Sequence, residues 1–343
     1  HTRCADVTGV QTCALPILRA EIQTLVALAA ARERDPLLEV RARGLAGRSD
    51  LPRLRVYCSD QAHSSVDKAV ITLGLGHENL VRLPSDDRFR LRLDALDTAI
   101  AEDRAAGYRP LAVVATLGTT SSTAVDPIAA IADRCAAHTL WLHVDAAYGG
   151  ALALLPERRA EFAGVERADS LVLNPRKWLV TPMDCSVLWT RHPDVLRRAF
   201  SLTPEYLRTA EQDSALSFSD YSFQLGRRFR ALKLWFVLRA FGLEGLRARL
   251  RAHCEMATAL ATQVANTANP GSHSTNAITT RTAHTVTATT SVKTLSSRSL
   301  LALRTARPSA NELRCPGSVI PAHARSSPTL PTVGTSTSGR RTR

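Results

Sequence analysis

The sequence predicts an α/β protein built on a mostly parallel β-sheet with helices on both faces. Apolar segments of strand length alternate along the chain with alanine-rich or amphipathic segments of helix length. The strand-like segments are almost continuously apolar, as expected of parallel strands that are buried on both faces. The 343 residues suffice for one large domain with an appendage, or for two domains.

The first four helices and strands are predicted from composition and from the residues that typically end such elements. AEIQTLVALAAARERD (20–35) is rich in Ala, Leu and Glu and predicts a helix. RVYCSD (55–60) predicts a short strand that ends in polar residues. SSVDKAVITLGLG (64–76) and RLDALDTAIAEDRAAG (92–107) predict helices that end at glycine.

The later elements continue the alternation. PLAVVATLGTT (110–120) predicts a buried strand, IAAIADRCAAH (128–138) a helix, and LWLHVDAAYGG (140–150) the next strand. LGRRFRALKLWFVLRAFG (225–242) predicts a long amphipathic helix, and LEGLRARLRAHCEMATALATQVA (243–265) predicts another after it.

The two ends of the chain depart from this pattern. Residues 270–343 contain no aromatic residue, and 27 of these 74 are Ser or Thr, which predicts a disordered low-complexity tail. We expect this tail to be frameshifted, with a genuine low-complexity tail as the alternative. CADVTGVQTCALPI (4–17) resembles translated sequencing adapter, so residues 1–17 are expected to be non-native. We therefore expect the large domain at 18–242 and a connecting helix at 243–269.

Charge and cysteine content narrow the function classes. The net charge is +13, but the tail holds ten basic residues and one acidic residue, so the rest is nearly balanced. A nucleic-acid-binding module would depend on the tail alone. The seven cysteines show no regular spacing, which is typical of reduced thiols in a cytoplasmic protein and not of a metal site. The sequence contains no stretch apolar and long enough to span a membrane.

Polar side chains follow four of the predicted strands, including SLVL (170–173). They are His63, Thr120, Asp145, Asn174 and Lys177. Each alone has an ordinary explanation, such as a loop imidazole, a turn hydroxyl, a helix cap or a lysine that reaches solvent. Ligands of parallel α/β sheets bind at the carboxyl ends of the strands, so the set predicts one site.

This combination suits pyridoxal phosphate (PLP) chemistry. Lys177 lies in an apolar run, and we expect it to be buried and used for covalent attachment of the cofactor. A carboxylate, Asp145, would hold the pyridine nitrogen protonated. The small residues that follow it, among them Gly149 and Gly150, would let the flat ring lie against the strand end.

Several motifs resemble those of PLP-dependent group II amino-acid decarboxylases, specifically the aromatic-L-amino-acid decarboxylase branch. They are YCSDQAHSSVDKA, VATLGTTSSTAVDPI, LWLHVDAAYGGALALLPE, ADSLVLNPRKWLVTPMDCSVLW, TPEYL and LGRRFRALKLWFVLR. The resemblance runs from about Ile22 to about Arg251. It implies the large domain of a fold-type I PLP enzyme, an incomplete small C-terminal domain and a homodimer.

The resemblance also implies roles for the catalytic residues. Lys177 would carry the cofactor, and Asp145 would contact its pyridine nitrogen. His63 would stack on the ring and assist proton transfer, and Ala147 would pack on the opposite face. Tyr206, in TPEYL, would protonate the substrate carbon after carbon dioxide leaves.

The remaining roles concern cofactor contacts and the substrate pocket. Thr120 and Asn174 would contact the cofactor, Asn174 on the phosphate side. Gly226 would shape the pocket around the substrate ring. Arg176 stands where the family usually has histidine, and arginine also suits a phosphate.

The expected reaction is decarboxylation of an aromatic L-amino acid to the amine and carbon dioxide. Alternatives are a histidine or other group II amino-acid decarboxylase, or a non-catalytic fragment of such an enzyme. The fragment remains open because the loop that binds the cofactor phosphate should fall just before residue 20, where adapter-like sequence stands. We expect an amino-acid substrate, and neither a metal, a nucleic acid nor a membrane as a partner.

Overall fold

A computed structural model describes residues 13–15, 20–202, 218–226 and 228–268. All of them belong to one unit of the chain, His1–Lys293. The strands in this part of the chain form one seven-stranded sheet. They are β1 (Cys13–Leu15), β2 (Leu54–Ser59), β3 (Leu80–Leu83), β4 (Arg109–Thr116), β5 (Trp141–Asp145), β6 (Ser170–Leu173) and β7 (Val187–Thr190).

The strand order is β1-β7-β6-β5-β4-β2-β3. The five strands from β6 to β3 are mutually parallel, whereas β7 is antiparallel to both β6 and β1. The prediction of a mostly parallel sheet is therefore confirmed. The sequence does not predict β3, because LVRL is short and contains an arginine.

Helices cover both faces of the sheet. They are α1 (Ala20–Glu33), α2 (Val40–Arg43), α3 (Ser65–Thr72), α4 (Leu93–Ala105), α5 (Ile128–His138), α6 (Pro175–Trp178), α7 (Pro193–Phe200) and α8 (Ala231–Ala268). Helices α1, α3 and α7 pack on one face, and α4 and α5 on the other.

Strand β4 shows how the sequence fills both layers. Val114 belongs to the core with Leu28 of α1 and Val66 of α3. Its neighbour Val113 belongs to the opposite core, with Ile131 of α5. Successive strand residues point to opposite faces, so a strand buried on both sides must be apolar throughout.

Glycines set several element boundaries. Helix α3 ends at Thr72, earlier than predicted, and is followed by Gly74 and Gly76, both with positive φ. Strand β5 ends at Asp145, because the following residues form a turn and a 3-10 helix. Helix α8 begins at Ala231 rather than at 225, and it is interrupted at Gly242, where φ is 64°. The predicted division into two helices is confirmed at this glycine.

The chain ends need separate comment. Residues 1–17 are expected to lie outside the fold, yet three of them form β1 at the edge of the sheet. The predicted tail, 270–343, lies outside the described residues. Among the helices that the structure describes, none combines the length and the apolar character needed to cross a membrane.

Candidate active site

The predicted site residues lie along one edge of the sheet. Strands β6, β5, β4 and β2 are adjacent and parallel, so their carboxyl ends share this edge. Thr116, the last residue of β4, pairs with Asp145, the last residue of β5. The residues brought to this edge are His63, Thr120, Asp145, Asn174 and Lys177. The chain thus gathers an amine, a carboxylate and an imidazole at the place where α/β sheets bind ligands.

Asp145 is held by the backbone around it. It is buried, with 8% of its surface exposed. Its Oδ1 accepts a hydrogen bond from the Ala147 backbone N–H at 3.0 Å. Its own carbonyl accepts one from Leu117 N at 2.8 Å. The carboxylate therefore has a local structural role as well as a position suited to a cofactor.

His143 lies two residues earlier on the same face of β5, and the sequence analysis did not select it. It is fully buried, and burial lowers the pKa of His143 to about 4. Its Nδ1 lies 2.9 Å from Ser170 Oγ, which also accepts a hydrogen bond from Trp141 Nε1 at 2.9 Å. The imidazole is therefore neutral near pH 7. Its only sequence signal was a polar residue inside an apolar strand.

The glycines after Asp145 serve the packing of the protein itself. A Cβ at Gly149 would overlap the carbonyl oxygen of Leu117, and one at Gly150 would lie 2.8 Å from Leu173 Cδ1. Gly149 N also donates to Leu117 O at 3.1 Å. These two glycines let the segment after β5 lie against the ends of β4 and β6. The expectation that they also make room for a cofactor ring stays a prediction.

Lys177 lies on α6, a single turn that begins with a proline. The residue before this helix, Asn174, donates its N–H to Ala147 O at 3.1 Å, and its carbonyl accepts from Lys177 N at 2.9 Å. Asn174 is buried, and its Oδ1 accepts a hydrogen bond from Ser186 Oγ. The Lys177 side chain is exposed, not buried as expected.

His63 and Thr120 are both exposed at the same edge. Nδ1 of His63 accepts a hydrogen bond from Ser65 N at 3.1 Å, at the start of α3. The neighbour of Thr120, Thr119, is buried, and its hydroxyl lies 2.5 Å from Ser122 Oγ. The loop after β4 is thus internally braced and leaves Thr120 accessible.

The three remaining predicted site residues differ in where they lie. Ala147 is buried in the segment after β5. Gly226 is exposed before α8, and a side chain there would meet open space. Tyr206 lies outside the described residues, so its role stays a prediction.

Asp126 is a second residue that sequence reasoning missed. It is buried and accepts hydrogen bonds from Leu91 N at 2.7 Å and Thr116 N at 2.8 Å. Burial raises the pKa of Asp126 to about 6, against the opposing effect of these N–H groups. Asp126 fixes the base of the loop that carries Thr120. The signal was an Asp-Pro pair directly before a helix.

Two of the motifs quoted above are in direct contact. Arg230 Nη2, from the LGRRFR stretch, lies 2.9 Å from Asp184 Oδ2 in the DCS stretch. The hydrogen bond from Arg230 lowers the pKa of Asp184. Lys233 Nζ donates to Met183 O at 2.7 Å. These bonds join the start of α8 to the segment between α6 and β7.

The side chains at this edge include an amine and a carboxylate. In the part of the chain that the structure describes, no group of three or more His, Cys, Asp or Glu side chains could hold a metal ion. An exposed lysine amine such as that of Lys177 can react with an aldehyde, and a buried carboxylate such as that of Asp145 can stabilise a cationic ring nitrogen.

Comparisons with known proteins point the same way. Residues 16–273 match the model of the pyridoxal-dependent decarboxylase conserved domain. Aromatic-L-amino-acid decarboxylase of Bos taurus is 45% identical over 239 residues, 69% of this chain and 48% of that protein. Histidine decarboxylase of Mus musculus is 45% identical over 238 residues, 68% of this chain and 35% of that protein.

A solved structure shows the same architecture. The crystal structure of Oryza sativa TDC with PLP and tryptamine has a TM-score of 0.67 and 39% identity, covering 73% of this chain and 51% of that chain. The chain spans about half the length, or less, of the curated relatives described above.

Proposed function

Because the chain belongs to the pyridoxal-dependent decarboxylase family, whose cofactor is PLP, we propose that it decarboxylates an aromatic L-amino acid to the amine and carbon dioxide. One observation supports this above all: Asp145 and Lys177 lie at the carboxyl ends of two adjacent parallel strands. This is where a cofactor could contact both at once.

The residues present fit PLP. The Asp145 carboxylate, fixed by Ala147 N, is a suitable acceptor for a protonated pyridine nitrogen. The exposed Lys177 amine is accessible to an aldehyde. His63, Thr120, Ala147 and Asn174 would supply the other contacts. By the family resemblance, the loop that binds the cofactor phosphate would fall just before residue 20, at positions outside the described residues.

Each side chain would have a defined task. PLP, when bound, supplies an electron sink for the bond that breaks at the α-carbon. Lys177 would hold the cofactor through Nζ, at the position where the substrate amine would bind. Asp145 would keep the ring nitrogen protonated, and the neutral His143 adds no competing charge on that face. Tyr206 would deliver the proton to the α-carbon, and His63 would cover the ring.

The substrate class is supported by motif detail. The NPRKW, DCS and LGRRFR stretches favour the aromatic branch, and the contact between Asp184 and Arg230 gives two of them a shared structural role. A histidine decarboxylase is the second candidate, because the Mus musculus enzyme is as similar in identity as the aromatic relative.

We expect PLP and borohydride to trap a covalent adduct on Lys177 in the full chain. Peptide mass spectrometry would locate it. Lys177→Ala should abolish trapping, whereas Lys68→Ala, at an exposed lysine of α3, should leave it intact. Carbon dioxide release from tyrosine, dopa, tryptophan and histidine would then rank the substrates. Trapping without release from any of them would favour the non-catalytic fragment, and absence of trapping would contradict the cofactor site.

The family-typical homodimer is supported by an apolar strip near the start of α8. It comprises Leu225, Phe229, Leu232, Trp235 and Phe236. Leu225 is 82% exposed, Phe229 75% and Phe236 58%. Several large exposed apolar side chains this close together along the chain are typical of an interaction surface. The partner proposed for it is a second copy of the chain. Cys58, Cys135, Cys185 and Cys254 are free thiols, which is consistent with the cytoplasm.

The dimer can be tested by sedimentation. Phe236→Glu should shift the protein toward monomer, because a charge buried in the interface would lack a partner. Leu37→Glu, at an isolated leucine that is 78% exposed, is the matched control and should change nothing. A wild-type monomer at micromolar concentration would contradict the proposal.

A further inference from the structure

Helix α6, which carries Lys177, is too short to be stable alone. It has four residues, Pro175–Trp178. Fixing the backbone dihedrals of a single helical turn costs more free energy than its few hydrogen bonds recover. Tertiary contacts must therefore stabilise it. Asn174 anchors its start. Its end is anchored by Trp178, the residue after the lysine.

Trp178 makes two directed contacts. Its ring stacks on Tyr148, with centroids 4.7 Å apart and planes 6° from parallel. Its Nε1–H donates to Nδ1 of His253 at 3.0 Å. Indole is a donor only, so Nδ1 of His253 must present a lone pair. The contact therefore fixes the tautomer of this imidazole as well as the rotation of the indole ring.

His253 belongs to the part of α8 after Gly242, and this part also contacts the segment that follows Asp145. Leu250 packs in a cluster with Leu152 and Leu179. Arg247 Nε donates to Leu154 O at 2.7 Å. One helix therefore touches both the segment after β5 and the end of α6.

We infer that His253 is a positioning residue for Lys177: by accepting the indole N–H of Trp178, it sets the orientation of the helix that presents the lysine to the cofactor. This inference rests on the proposed function for the role of Lys177. A purely structural role, in which α8 only covers apolar surface, predicts different results for the variants below.

Four variants distinguish the loss of the hydrogen-bond acceptor from a change in side-chain volume. His253→Leu fills the space and removes the acceptor. His253→Asn keeps an oxygen near the place of Nδ1. Trp178→Phe keeps an aromatic ring against Tyr148 and removes the donor. Arg249→Ala is the matched control on α8, since Arg249 is exposed and its guanidinium lies over the ring of Phe241.

We expect His253→Leu and Trp178→Phe each to weaken PLP binding by about tenfold, the effect of losing one partly buried hydrogen bond. His253→Asn should stay within about threefold of wild type. The double variant His253→Leu/Trp178→Phe should be no worse than either single variant, because both remove the same bond. Cofactor titration in the full chain, with borohydride trapping on Lys177, measures these effects.

Hydrogen exchange of the apo protein gives a second readout. The peptide that contains α6 should exchange faster in His253→Leu than in His253→Asn or Arg249→Ala. Equal behaviour of the Leu and Asn variants in both measurements would overturn the inference. If wild type traps no PLP, the proposed function fails, and the exchange comparison still decides whether His253 holds α6.

Discussion

The ends of β5 and β6 position their functional groups in different ways. Asp145, at the end of β5, is buried and bonded to the backbone N–H of Ala147, two residues away, and of Leu117, directly after the adjacent strand β4. Lys177, after β6, is exposed on one helical turn that depends on Ser186 and His253, both outside that segment. The sheet thus fixes the carboxylate, and tertiary contacts position the lysine.

The largest effect should come from removing the charge at the β5 end without disturbing its backbone. Asp145→Asn keeps an oxygen acceptor for Ala147 N, so folding should change little. Loss of the carboxylate should lower kcat by at least about a hundredfold, which is the size of effect seen when an enzyme loses one preorganised electrostatic contact. Steady-state kinetics with thermal unfolding would test this. Wild-type kcat in a folded variant would remove Asp145 from the mechanism.

Breaking the packing of the same end should instead reduce stability. Gly149→Ala places a methyl group against the Leu117 carbonyl and should reduce the free energy of unfolding by about 2–3 kcal/mol. Gly245→Ala, in α8, has room for its methyl group 3.6 Å from Phe241 Cβ and should be neutral or stabilising. Urea unfolding measures both. Equal free energies of unfolding for the two variants would show that the segment after β5 accommodates a methyl group at Gly149 despite the close Leu117 carbonyl.

The smallest effect concerns the pH dependence of stability beside these strand ends. Unfolded histidine takes up a proton near pH 6.5, but buried His143 does so only near pH 4, so acidification across this window favours unfolding. Asp126 acts in the opposite direction. Its pKa is about 6 in the fold against 3.8 unfolded, so its contribution is fully present below pH 3.8 and is lost as the pH rises through 6.

Two variants separate these contributions. Between pH 4 and 6.5, His143→Asn should lose less stability on acidification than wild type, and Asp126→Asn should lose more. Each site can change the slope by at most about 1.4 kcal/mol per pH unit. Urea unfolding at several pH values gives the slopes. Identical slopes in all three proteins would mean that neither group keeps its burial in solution.

Much of the site could be predicted because it follows local rules. The apolar strands and glycine-ended helices predict a parallel sheet, and the carboxyl ends of its strands then identify His63, Asp145 and Lys177. The sequence did not reveal His143 or Asp126. A single polar residue in a strand or loop forms no periodic pattern, so the sequence cannot show whether its side chain is buried or solvated.

The sequence by itself determined the α/β class, the edge at which the site forms and the family resemblance, because these depend on residues close together along the chain. Tertiary structure decided that Lys177 is exposed, that Gly149 is small for packing, and that Trp178 meets His253, 75 positions away. Such contacts form between segments that are far apart in sequence. Side-chain periodicity reports only on local structure and does not show which distant segments meet.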